Sequence, residues 1–99
     1  MTDDDLGGFA PPAFKPTDAL LVVKRSLRDL KLTERGQGFE LRGKRVVELT
    51  VHATTITARL ARKLALTPQW DTVLVKSATD QRKLVDDVKR RLARWDQED

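Results

Sequence analysis

His52 is the only histidine in the chain, and there is no cysteine. Nucleophilic catalysis or a metal centre needs several His, Cys or acidic side chains converging at fixed geometry. No carboxylate stands at a triad-like or ligand-like spacing from His52, so it reads as an exposed turn residue. Asp86 and Asp87 are the only paired carboxylates between the chain's two ends. Neighbouring residues on a helix point about 100° apart, so these two cannot readily share a metal or a proton. At four-residue spacing Asp86 faces Arg82 and Arg90, and Asp87 faces Lys83 and Arg91, the pattern of a solvated, ion-paired helix face.

The glycines form no phosphate loop. Gly36-Gln37-Gly38 precedes a strand-like segment instead of opening a helix, and Gly43-Lys44-Arg45 reads as a hairpin turn with no Ser or Thr after the lysine. Ser26 and Ser77 have no base near them in sequence. Without cysteine there is no disulfide framework and no thiolate for zinc or an iron–sulfur cluster. The chain therefore reads as non-enzymatic, with no cofactor and no metal. Trp70, at a strand start, and Trp95, on a helical stripe, read as core anchors whose indole N–H groups lie near the rim.

The elements that position these residues are legible from periodicity. Leu20, Val23, Leu27 and Leu30 form one apolar stripe of a first helix, which should begin at Thr17 with its hydroxyl as the cap and end before Gly36. Phe39, Leu41, Val47, Leu49 and Val51 alternate with polar residues about a turn at Gly43-Lys44, as in two half-buried strands. The Thr55 to Leu66 stretch carries two periods: Ile56, Ala58 and Leu60 alternate, while Ile56, Leu60 and Leu64 also form a helical stripe. Its threonine-rich start decides for a strand followed by a loop through Thr67-Pro68. Trp70 to Lys76 is a further strand. Leu84, Val88, Leu92 and Trp95, with Asp80 early and Arg90, Arg91 and Arg94 late, mark a final helix capped by Thr79. The expected fold is α+β: a helix, an antiparallel meander of three or four strands and a helix, both helices on one sheet face.

Domain organisation follows from composition. Residues 1–16, acidic and rich in Pro and Gly, read as a flexible arm interrupted by Phe9 and Phe14. Residues 17–95 form a single domain and 96–99 an acidic tail. No apolar run is long enough to cross a bilayer, and the acidic start lacks the cations of a signal peptide, which points to the cytoplasm.

Net charge is +4, and its distribution says more than its sum. All 19 Lys and Arg lie between Lys15 and Arg94, whereas six of the 15 acids lie outside that segment, so the segment itself carries +10. Such a field attracts anionic partners. The candidate contacts are Arg28, Lys31, Arg35, Arg42, Lys44, Arg45, Arg59, Lys76, Arg90, Arg91 and Arg94. The sheet face away from the helices should carry Arg42, Arg45 or Val46, Thr50, Thr55, Thr57, Arg59, Thr72 and Lys76, with no aromatic on which a base could stack.

The element order resembles that of double-stranded RNA-binding domains, which run helix, three strands, helix. Those domains place a lysine cluster at the start of the last helix, whereas this one begins Thr79-Asp80-Gln81-Arg82-Lys83. The likeness is thus one of element order and carries no function. The sequence favours a small interaction module that meets an acidic protein, or a second copy of itself, through its basic face or an exposed edge strand. Sequence-independent binding of nucleic-acid phosphates is the alternative.

Overall fold

Proline cannot donate a backbone hydrogen bond, and its φ is already helical, so it suits the first position of a helix. The first helix uses this device. In a computed structural model that describes residues 14–97, α1 spans Pro16–Asp29, with Pro16 in its first turn and Lys15 before it making no side-chain cap. The expected Thr17 cap is thereby corrected: Thr17 is already inside the helix. Seven elements follow the order α1, β1 (Thr33–Arg35), β2 (Gly38–Leu41), β3 (Lys44–Val51), β4 (Ile56–Ala61), β5 (Trp70–Val75) and α2 (Ala78–Trp95). The strands form one antiparallel sheet in chain order, β1-β2-β3-β4-β5. Most of the acidic arm (residues 1–13, including Phe9) and two acids of the tail, Glu98 and Asp99, lie outside the described residues; Phe14 packs half-buried against the core.

The fold is α+β as expected, with five strands instead of three or four. The additional strand, β1, arises because α1 ends sooner than the glycines suggest. Its end is a Schellman motif: Lys31 N–H donates to the Arg28 carbonyl at 2.9 Å and Leu32 N–H to the Leu27 carbonyl at 3.3 Å. Lys31 takes the left-handed conformation at φ 72°, where glycine is the usual occupant, and Leu32 turns back into the core beside Leu27. Six residues are thereby released before Gly38, enough for β1 and a hairpin in which Glu34 stands opposite Phe39.

Arg42 and Gly43, at φ 54° and 78°, join β2 to β3, since Leu41 pairs with Lys44. Two consecutive residues of positive φ make the tight turn whose twist suits a hairpin, one residue earlier than expected. In β3 the register against β2 slips past Val46, so Val46 and Val47 together oppose a single position and both are buried.

The Thr55 to Leu66 ambiguity resolves as a strand, β4, paired on both sides. Leu64 mimics the next position of a helical stripe because it too is buried; it reaches the core from the loop after β4. Ser77, not Thr79, caps α2: its hydroxyl accepts from Asp80 N–H at 3.1 Å, and the Asp80 carboxylate accepts from Lys76 N–H at 3.1 Å. Both helices pack on one sheet face over a core of Val23, Leu27, Phe39, Leu49, Ile56, Leu60, Val75, Leu84, Val88 and Trp95.

The strained cap gives a direct check. Lys31→Gly relieves a left-handed side-chain conformation and should raise stability by about 1 kcal/mol in urea unfolding. No gain would mean that α1 does not end in this motif.

Candidate functional site

Asp71 is the only charged residue in β5, and it projects toward the helices, the side on which Leu60 pairs with it. A charge there requires partners. It has two: Arg62 Nε donates to one carboxylate oxygen at 2.7 Å and Arg91 to the other at 2.9 Å. Arg91, its side chain only 15% exposed, also donates from Nε to Asp87 at 3.0 Å. The hydrogen bond from Arg62, followed by that from Arg91, holds the Asp71 carboxyl below the usual aspartate range. Burial opposes the charge of Arg91, but Asp87 and then Asp71 outweigh it and raise its pKa.

The same corner fixes α2. The β3–β4 ladder stops at Val47–Leu60, and the Ala61 carbonyl beyond it accepts side-chain bonds from Trp95 Nε1 at 3.1 Å and Arg91 at 3.3 Å. Trp95 is fully buried. It anchors the core, as its place on the helical stripe suggests.

Trp70 does not follow the same pattern. It shares a face with Thr72 and Leu74, away from the helices, and the Arg59 guanidinium lies 5.0 Å from its ring centroid. The expectation of no aromatic on the outer face is therefore corrected. Strand parity already contained the signal, because Thr72 on that face places Trp70 and Leu74 there too. Other positions assigned to that face lie elsewhere. Arg42, in its turn, reaches the Asp96 carbonyl and carboxylate after α2; Val46 is buried; and Thr55 and Lys76 lie just beyond strand ends.

Most of the candidate arginines are ion-paired within the chain. Arg28 binds Glu34 at 2.7 Å, Arg35 meets Glu40, Arg45 and Arg59 share Glu48, Arg42 meets Asp96, and Arg90 and Arg91 share Asp87. Lys24 also reaches Glu34; its hydrogen bond is the leading cause that lowers the Glu34 pKa. Lys31, Lys44, Lys76 and Arg94 make no ion pair among the described residues. These four do not form one patch, since Lys31 follows the end of α1 while Lys76 lines a groove beside its start. His52 is exposed at the β3–β4 turn, 3.0 Å from the Thr57 hydroxyl. Among the described residues no group of His, Cys, Asp and Glu could hold a metal, and no helix is long and apolar enough to cross a membrane. A groove of about 800 Å³ lies between the starts of the two helices, with Phe14, Ala19, Val22 and Ala78 among an apolar lining rimmed by Lys15, Asp18 and Lys76.

The open edge of β5 remains. Arg62 N–H donates to the Gln69 carbonyl at 2.9 Å, one step beyond the Ala61–Trp70 register position, and so marks which positions exchange backbone bonds. Counting by twos along an antiparallel ladder, these are Leu60–Asp71, Ala58–Val73 and Ile56–Val75. The N–H and C=O groups of Trp70, Thr72 and Leu74 consequently point away from β4, into the open. Nothing blunts this edge in the usual ways: Trp70–Val75 contains no Lys, Arg or Pro and has no bulge against β4. Its one charge is neutralised from within. Leu74 is 48% exposed. The chain matches no protein-family model, no curated protein and no solved structure.

Asp71→Asn tests the internal neutralisation. A depressed carboxylate pKa contributes stability above the unfolded value that is lost as pH falls through the folded value. The variant's melting temperature should therefore fall less steeply than the wild type's as pH drops below about 4, the unfolded aspartate value. Parallel curves would mean that Asp71 carries no such linkage.

Proposed function

We propose that this chain is a non-enzymatic interaction module that accepts a further β-strand from a protein partner along the open edge of β5. The observation that carries the reading is the set of outward-facing backbone groups at Trp70, Thr72 and Leu74, on an edge without Lys, Pro or bulge. Main-chain hydrogen bonds supply affinity in such strand addition, and alternate side chains supply selectivity. Here the alternate side chains are Trp70, Thr72 and Leu74, an apolar strip with Arg59 at its border. The partner is an acidic protein, favoured by the +10 segment, or a second copy of the chain.

Phosphate-backbone binding of nucleic acid ranks below this reading. It needs several free cations on one surface, whereas seven of the eleven candidates are engaged by acids of the chain itself and the other four do not form one patch, Lys76 lying at the helix starts and Lys31 beyond the end of α1.

Selection of displayed random peptides against the immobilised chain tests the edge. Selected peptides should bind Thr72→Pro about tenfold or more weakly, because proline removes an outward N–H without removing a bond to β4. Peptides that bind this variant equally well would contradict the reading. Fluorescence titrations with mixed DNA and RNA should show no binding at low salt; tight binding that collapses as salt rises would favour nucleic acid as the partner.

A further inference from the structure

We infer that the strand added to β5 is β5 of a second copy, the two related by a twofold axis through Thr72; this rests on the edge reading above and names its partner. A twofold pairing of identical antiparallel strands has few registers, because outward-facing residues must meet outward-facing residues. Three of them, with the axis at Asp71, Thr72 or Val73, set at least two of Trp70, Thr72 and Leu74 against one another, and the chain's own chemistry separates these.

With the axis at Asp71, Leu74 would stand opposite Pro68, which has no N–H to donate. An axis at Val73 sets Trp70 opposite Lys76, whose N–H is already taken by the Asp80 carboxylate in the cap of α2. Only the axis at Thr72 places Trp70 opposite Leu74 of the other copy, Thr72 opposite Thr72, and Leu74 opposite Trp70, so that all the outward N–H and C=O groups pair. In this register each Trp70 ring lies between its own Arg59 and an incoming leucine. Side chains directly opposed across antiparallel strands are the contacts that stabilise such a pairing. The exposed face of Leu74 becomes covered.

Electrostatics permits the approach. Two segments of +10 repel, but β5 itself has no cation, and the α2 strip beside Val73 presents Lys83 and Arg90 with Asp86 and Asp87, a balanced set. Added salt screens the remaining repulsion and should strengthen the dimer, the opposite of its effect on nucleic-acid binding.

Sedimentation of the full chain from micromolar to millimolar concentration should show a monomer–dimer equilibrium that shifts toward dimer in high salt. Leu74→Lys, at an exposed position outside the core, should retain the monomer's circular dichroism and remain monomeric throughout. Since the natural chain has no cysteine, Thr72→Cys supplies a specific geometric probe. Opposed residues of a bonded pair have Cα atoms about 5.5 Å apart, within disulfide reach. Thr72→Cys should therefore oxidise to a covalent dimer about tenfold or more faster than Thr50→Cys, which is exposed on β3 away from the edge. A chain that stays monomeric, a dimer indifferent to Leu74→Lys, or equal oxidation rates would each overturn the twofold. Displayed peptides that still require the Thr72 N–H would then leave the edge reading standing with another partner, whereas failure of both would remove both.

Discussion

The carbonyl of Ala61 marks where the sheet runs out of strand and the last helix takes over. Two side chains of α2, Trp95 and Arg91, bond to it, and Arg91 continues to Asp71 and Asp87. A buried carbonyl left without a donor costs about 1–3 kcal/mol, so this junction fixes the seating of α2 on the sheet. It also settles the character of β5. An inward-pointing charge is one of the ways proteins protect an edge strand, yet Asp71 is held by two guanidinium groups. What would discourage a neighbour is instead consumed inside the molecule.

Cations are treated in a similar way. A segment carrying +10 suggests a broad attractive surface, but Glu34, Glu40, Glu48, Asp71, Asp87 and Asp96 are each set against one or more arginines. Exposed pairs of this kind contribute little stability, about 0–1 kcal/mol each. Their larger consequence is to divide one basic field into small, partly neutral regions. Of the two edge strands, β1 carries Arg35 whereas β5 carries no cation, so charge and hydrogen bonding both favour the β5 edge.

Much of this was legible in the sequence where a single period ruled. The stripe ending at Trp95, the alternation through Leu49 and the meander order all appear as read, because burial enforces one face per element. Boundaries were less legible, for identifiable reasons. A lysine at φ 72° does the work expected of a glycine at the end of α1, and the extra strand follows from that one substitution of type. Leu64 reaches the core from a loop, which periodicity cannot distinguish from a helix turn. The surface is least legible: sequence shows the sign of each charge but not its partner, and the residue type of Trp70 points to the core although its parity with Thr72 places it outside.

Pairing of β5 with its own copy is tested most directly by isotope-filtered NMR on a mixture of labelled and unlabelled chain. Intermolecular contacts between the Trp70 indole and the Leu74 methyl groups are expected, together with slowed amide exchange at Trp70, Thr72 and Leu74 as concentration rises. Concentration-independent exchange at those three amides, with no contact between the two side chains, would contradict it.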